Sequence, residues 1–420
     1  MSRKITLLLV GLLFGFAQAG AQGCGNGRYT QEIFNDFTLT SDITYGQNIN
    51  LQNQNQSLEL DIYEPMGDME PLRPLIVLQH GGSFIGGSKD QGDITTLAEP
   101  LARMGYVVAS AEYRLGMAGI PFPGPDSSSA SESVLRAVHD FKAAVRWFYQ
   151  SAANGNPYRI DTNQLYIGGV SAGAVSAVHY AYLDQLSELP AYTDTTQPGL
   201  GGGVEGNSGN PGYSSEVAGV VNICGMVADT AWIQPGDEPI VSLHGDQDQI
   251  VPFGTALISV VIYNIFVVDG SSTIHERMNE VGVNNCFYPM YGADHTPHIG
   301  SNGAAYQDTT LRIVTNFLQP LICGGGPGSC GYLVSNDQPL PAHDLEVFPN
   351  PTQGALRVRI PEAQANSWEY TLTDLMGRTV VTERIDNRNE ITLDRRFPAG
   401  IYLLRVRVDQ GQWTRKVVFE

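Results

Sequence analysis

Three residues in this chain have the type and order needed for covalent chemistry at a carbonyl carbon. Ser171 sits in Gly169-Val170-Ser171-Ala172-Gly173, the G-x-S-x-G spacing that puts a serine at the tip of a sharp strand-to-helix turn. A serine hydroxyl is a weak nucleophile, so it needs a base to take its proton and a carboxylate to orient that base. His244-Gly245-Asp246-Gln247-Asp248-Gln249-Ile250-Val251-Pro252 offers the acid, and Gly292-Ala293-Asp294-His295-Thr296-Pro297-His298 offers the base. On chemistry alone Asp246 and Asp248 are nearly equal, while His295 leads over His298. Attack on a carbonyl also builds negative charge on oxygen, which backbone N–H groups must meet. His80-Gly81-Gly82-Ser83 after an apolar run, and Ala172 after the serine, place the candidate donors at Gly81, Gly82, Ser83 and Ala172. His80 is expected to hold that loop through backbone hydrogen bonds. His179 and His244 read as core histidines.

These loops need a rigid frame, and the chain spells one. Apolar runs at 74–79, 106–111 and 164–170 read as buried strands, separated by helical spacing at 94–104 and 131–152. That alternation implies a mostly parallel α/β sheet. Residues 57–63 read as an antiparallel edge strand closed by Pro65, and 217–224, 239–243 and 286–291 as further strands. Residues 256–268 are read as a packed helix and 304–318 as the last helix of the sheet domain. The glycine-rich stretch 193–215 reads as a long surface loop and a candidate wall of a substrate cleft.

Residues 1–21 have Arg3 and Lys4 ahead of an apolar core and small residues at Ala17, Ala19 and Ala21, the pattern of a signal peptide. Ala21-Gln22-Gly23 is a poor approach to a lipid-modified Cys24. Without Arg3 and Lys4 the net charge moves from −19 to −21, which repels phosphate backbones and disfavours nucleic acid as a partner. With 42% hydrophobic residues the chain has ample material for a large core, and no mature transmembrane segment is expected. Five cysteines in an exported chain permit two disulfides and one thiol. Cys323 and Cys330 bracket the shortest loop, and Cys224 reads as an inert buried thiol. No Cys/His spacing suggests zinc; neither a metal nor a cofactor is expected.

The organisation read from these signals is a signal peptide at 1–21, a catalytic domain at 22–320, a Gly/Pro-rich linker at 321–343 and a last domain at 344–420. That last part shows short alternating runs and turn residues, the pattern of a small antiparallel β-sandwich.

Together, His80-Gly81-Gly82, Tyr113-Arg114-Leu115, Gly169–Gly173, His244-Gly245-x-x-Asp248-x-x-Val251-Pro252 and Gly292-x-x-His295 resemble the carboxylesterase and lipase branch of the α/β-hydrolases. The resemblance spans about residues 55–320 and implies Asp248 as the acid, because the family's aspartate stands three residues before Val-Pro. Ser83 occupies the place of a third loop glycine common in hormone-sensitive-lipase relatives. The C-terminal part, with Val347-Phe348-Pro349-Asn350-Pro351-Thr352, Asp374-Leu375-Met376-Gly377 and Pro398-Ala399-Gly400-Ile401-Tyr402, resembles the sorting domain of type IX secretion substrates. That resemblance implies passage through the periplasm and outer membrane, the secretion machinery as partner, and a secreted or cell-surface location. The expected function is a secreted serine carboxylesterase acting on small to medium acyl esters, acetyl or feruloyl esters of glycans among them, through an acyl-enzyme. Two other readings stand beside it. One is an exopeptidase of the prolyl-oligopeptidase kind, weakened by the lack of a propeller-sized N-terminal domain. The other is an inactive hydrolase scaffold used for surface binding.

Overall fold

The computed structural model describes residues 23–300, 303–330, 345–360, 367–374, 379–393, 397–408 and 411–419. Its packing divides the chain into two compact units, Met1–Gly331 and Tyr332–Glu420. The expected signal peptide lies outside the described residues, as do 331–343 of the expected linker.

The first unit is built on one eight-stranded sheet. Its strands are β1 (Phe37–Ile49), β2 (Asn55–Pro65), β3 (Arg73–Gln79), β4 (Val107–Ala111), β5 (Ile160–Val170), β6 (Gly219–Ile223), β8 (Ile240–Gly245) and β11 (Asn285–Met290). Their spatial order is β1-β2-β4-β3-β5-β6-β8-β11. The first two strands join antiparallel, and from β4 onward every neighbour is parallel. Side chains alternate across this sheet, so each strand feeds two cores. Leu75 and Val77 of β3 join the core under α2 (Ser127–Ala153) and α3 (Ala172–Tyr182). Ile76 and Leu78 join the core under α1 (Gly92–Arg103) and α5 (Gly303–Cys323). Burial on both faces is why these strands read as unbroken apolar runs.

Helix α2 starts four residues ahead of the expected position because Asp126 caps it. The Asp126 carboxylate accepts the Ser129 N–H at 2.8 Å, and the Ser129 hydroxyl accepts the Asp126 N–H at 2.9 Å. At the other end of the unit, α5 continues through Pro320 to Cys323, beyond the expected domain end. Cys323 bonds to Cys24, and Cys330 to Cys286 of β11. The sequence left the pairing open, and packing decides it: Cys323 ends a helix, whereas Asn284 holds Gly328 by two hydrogen bonds and so draws Cys330 to the sheet edge. Cys224 is a buried free thiol.

Two other expectations change. Residues 256–268 form no helix; they are the hairpin β9 (Thr255–Val260) and β10 (Tyr263–Gly270), with β7 (Met226–Val227) as its third strand. Ile258, Val260, Val261, Ile262, Ile265, Val267 and Val268 are β-branched, and stiff branched side chains favour a pleated surface over a helix. The glycine-rich stretch, expected as a candidate wall of the substrate cleft, contributes no residue to the lining of the cleft at Ser171. Gly206 closes over the His139 ring, leaving no room for a Cβ, and Ser208 is fully buried with its hydroxyl donated to Asp140 at 2.6 Å. Asp140 also takes the Arg114 guanidinium, and both side chains are wholly buried. This ion pair clasps α2, the segment after β4 and the glycine-rich loop together. Helix α4 (Ser271–Val281) follows the hairpin and buries only Ser271, Ile274 and Met278.

The second unit is a small all-β fold. A three-stranded sheet (Glu346–Phe348, Leu356–Arg359, Glu390–Leu393) and a four-stranded one (Thr379–Asp386, Ser367–Asp374, Gly400–Val408, Gly411–Phe419) share one core. Tyr402, Leu404, Val406 and Val408 point into it while their neighbours face water.

Burial pushes the imidazoles of His139 and His179 down to about 4. The unfolded chain then takes up these protons near pH 6.5, while the folded chain resists until about pH 4. Stability is therefore expected to fall as pH drops through that window and to level off, for these two groups, below it. Urea midpoints should show His139→Gln and His179→Gln each flattening the slope by ~1.4 kcal/mol per pH unit.

Candidate active site

The site begins where β5 meets α3. Ser171 has φ 54° and ψ −120°, a conformation that costs a non-glycine residue about 1–3 kcal/mol. The flanking glycines make the turn possible. A Cβ on Gly173 would lie 1.9 Å from the Gln79 carbonyl oxygen, and one on Gly169 would lie 2.4 Å from the Gly173 carbonyl carbon. The Ser171 N–H is held by the Ile223 carbonyl at 2.9 Å, so the strained turn is anchored to the next strand.

The acid and base loops leave the adjacent ends of β8 and β11 and are zipped together. Gln247 N–H donates to the Ala293 carbonyl at 3.0 Å. Asp294 accepts the N–H groups of Gln249 at 3.0 Å and His295 at 2.8 Å. Gly245 permits this approach, since a Cβ there would meet the Ala293 carbonyl oxygen at 2.3 Å. The result is a line of contacts: Ser171 Oγ to His295 Nε2 at 2.9 Å, then His295 Nδ1 to Asp248 Oδ2 at 2.7 Å. The Asp248 side chain is wholly buried. Burial alone would raise its carboxyl, but hydrogen bonds from His244 and His295 and the Val251 amide outweigh that and hold it well below the usual carboxylate range. It stays ionised across the working pH range, which fixes His295 with Nδ1 as donor and Nε2 facing the serine.

Asp246 instead accepts the Gly292 N–H at 2.6 Å and stays at the rim. His298 is buried at the start of α1, with Nε2 3.1 Å from the Asp93 carbonyl. His179 bonds to the Val175 carbonyl inside α3. His80 Nδ1 is 2.7 Å from the Gly81 carbonyl, and the Tyr113 hydroxyl donates to the His80 carbonyl at 3.0 Å, stiffening the loop before Gly82.

Of the expected oxyanion donors, Gly81 is the exception. Its N–H donates to the Asp93 carboxylate at 2.8 Å and is not free. Gly82, Ser83 and Phe84 follow with φ of 113°, 54° and 63°, so the chain curls tightly here. The amides of Gly82, Ser83 and Ala172 have no acceptor among the described residues. Ala172 also opens α3, whose N-terminal end favours negative charge.

Sequence reasoning missed two contributors. His244 Nε2 lies 3.1 Å from Asp248 Oδ2, giving the buried carboxylate a second imidazole. Asp93, two residues into a helix with no motif around it, carries no signal in the sequence for its bond to Gly81. The partly open cleft above Ser171 is lined by Phe84, Val134, Val175 and Met226 below and by Ile258 and Phe266 of the hairpin above. Among the described residues, Cys224, Asp248 and His295 have donor atoms within 4.8 Å of one another. Burial pushes the Cys224 thiol up to about 12, so it is held protonated, and the other two groups are already bonded to each other.

Residues 60–227 match the BD-FAE family, and residues 346–420 match the secretion system C-terminal sorting domain. The two matches fall on separate parts of the chain, the first within the α/β unit and the second on the all-β unit. The BD-FAE match takes in Ser171 and the His80–Gly87 loop and stops short of Asp248 and His295, whose position beside Ser171 is given by the fold. Carboxylesterase 3B of Mus musculus is 35% identical over 147 residues, covering 34% of this chain and 23% of the relative. The chain thus spans under a quarter of that relative's length. A thermophilic esterase of Thermogutta terrifontis, solved with propionate, is 22% identical with a TM-score of 0.45, covering 66% of this chain and 92% of that one. A truncated carbohydrate esterase from gut microbiota is 19% identical with a TM-score of 0.46, covering 68% and 96%. The BD-FAE match lies within a unit of α/β-hydrolase fold.

Strain at Ser171 has a measurable consequence. Ser171→Gly is expected to raise stability by about 1 kcal/mol, because relief of about 1–3 kcal/mol exceeds the roughly 0.5–1 kcal/mol of chain entropy that glycine adds. Chemical denaturation checks this, with Ser171→Ala, which keeps the strain, as the comparison. Gly173→Ala is expected to abolish soluble folding.

Proposed function

We propose that the first unit is a serine carboxylesterase that works through an acyl-enzyme, and that the sorting domain directs its export. The observation that carries the reading is the unbroken contact line from Ser171 Oγ through His295 to the buried carboxylate of Asp248. In the first half-reaction, Ser171 Oγ attacks the ester carbonyl carbon while His295 Nε2 takes the hydroxyl proton. The C=O electron pair moves onto oxygen, where the amides of Ala172, Gly82 and Ser83 donate to it. Collapse breaks the bond to the alcohol, which leaves with the proton from His295. In the second half, His295 takes a proton from water, hydroxide adds to the acyl carbon, and the carboxylic acid departs as Ser171 recovers its proton. Asp248 stabilises the imidazolium in both halves and keeps its orientation.

The apolar cleft suits carboxylic esters with small to medium acyl groups, and acetyl or feruloyl esters of glycans are the natural class proposed for an exported enzyme. Type IX export through the periplasm and outer membrane, with the sorting domain as address, is the proposed route. It rests on the match of residues 346–420.

A fluorophosphonate probe is expected to label the protein one to one. Ser171→Ala and His295→Ala should abolish labelling, and His298→Ala should keep most of it; labelling that survives in Ser171→Ala would sink the proposal. Asp248→Asn should lower kcat for nitrophenyl acetate by on the order of 10⁴, the scale seen when a triad imidazole loses its orienting carboxylate.

A further inference from the structure

A second apolar chamber lies behind the cleft of Ser171, and the helices flanking the cleft lead into it. Val175 lies in the cleft wall one turn beyond the serine; His179 and Leu183, one and two turns further, line the second chamber. Opposite them, α2 passes from Ala130 and Val134 in the cleft to Leu135 and Val138 in the chamber, and the chain after β7 passes from Met226 to Ala228. Val134, Met226 and Phe266 line both spaces and are therefore the partition between them.

The dimensions and chemistry point to one kind of occupant. Eight residues from Ser171 to His179, at 1.5 Å rise each, span ~12 Å along the helix. That is the reach of an extended chain of about ten carbons with bonds of roughly 1.5 Å. The chamber is walled almost wholly by carbon. Of its polar groups, the Ser131 hydroxyl is bonded to Thr193, and His179 is bonded to Val175 and stands edge-on to Trp232 at 5.5 Å. Burial keeps that imidazole neutral. Met226 is unbranched, with three rotatable bonds, so the partition can yield without moving backbone.

We infer that the second chamber takes the distal carbons of a medium-chain acyl group, octanoyl to decanoyl, whose ester carbonyl lies at Ser171. The inference rests on the hydrolase reading and extends it to a length of acyl chain. Met226 is then a specificity-determining residue, and Ala228 is the position at which the far end can be filled.

Two measurements on the full chain test it separately from catalysis. In Ser171→Ala, octanoate is expected to shift Trp232 fluorescence and to bind tenfold or more tighter than butyrate, within a ceiling of about fourfold per added methylene. Ala228→Phe should remove the shift, and Trp232→Phe identifies its source. In the active chain, the ratio of kcat/KM for nitrophenyl octanoate over nitrophenyl acetate should fall at least tenfold in Ala228→Phe and rise in Met226→Ala. Ester turnover with that ratio unmoved in both variants, and no response of Trp232, overturns the chamber while leaving the hydrolase reading intact. Octanoate binding at Trp232 without turnover or probe labelling overturns the hydrolase reading and leaves the chamber standing as an acyl-binding site.

Discussion

The backbone conformation of Ser171 is the constraint on which the rest of this unit depends. A left-handed residue at the junction of a buried strand and a helix can persist only if its surroundings allow no other arrangement. Here the two neighbouring strands supply that enclosure: Gln79 at the end of β3 presses against Gly173, and Ile223 at the end of β6 takes the Ser171 N–H. The parallel sheet is therefore part of the site. Its strand ends set the height at which the acid and base loops emerge, and the zipper between residues 247–249 and 293–294 makes those two loops one rigid piece.

Within that piece the electrostatics centre on a single buried carboxylate. Asp248 would be costly to bury charged, and it is met by two imidazoles and by the amides of Ile250 and Val251 at 2.8 and 2.9 Å. His295 is the only one of the two imidazoles that also reaches the serine. His244 is wholly buried and bonded to Ser271, so its contribution is to fix Asp248 rather than to exchange protons with substrate. The sharing follows from position, since His244 ends β8 and lies four residues before the acid on the turn that presents it.

Much of this was legible in the sequence, for physical reasons that also mark where legibility ends. Strands buried on both faces, such as β3 and β5, need continuous apolar residues and a glycine-rich exit, and both signals are local. The polar edge strand β1 has no such requirement, because most of its residues face water. Residues 256–268 are apolar apart from Ser259 and Asn264, so spacing could not separate strand from helix, and the turn at Val261-Ile262 has none of the usual turn residues. The Gly81–Asp93 bond and the Cys24–Cys323 disulfide are decided by which elements pack together across the chain, and neither leaves a pattern in the residues themselves. The glycine-rich stretch looked like a free loop by composition. Its glycines instead let backbone settle against His139 and β1, where side chains would collide.

The hairpin changes how specificity in this fold should be understood. On the proposed reading, the sheet, the turn and the two loops fix where a carbonyl carbon must sit, and they leave the space beyond it undetermined. That space is closed by β9 and β10, an excursion between β8 and α4 that bears on the reacting groups only through the walls it provides. Ile258, Ile265 and Phe266 reach the cleft from above while α2 and α3 form its floor. Because the hairpin is tied to the sheet mainly through β7 and the residues around Gly270, its inner face can change side chains without disturbing Ser171, Asp248 or His295. The roof and the candidate reacting groups are thus separable in the chain, and on the proposed reading the choice of acyl group belongs to the roof and to the two helices beneath it.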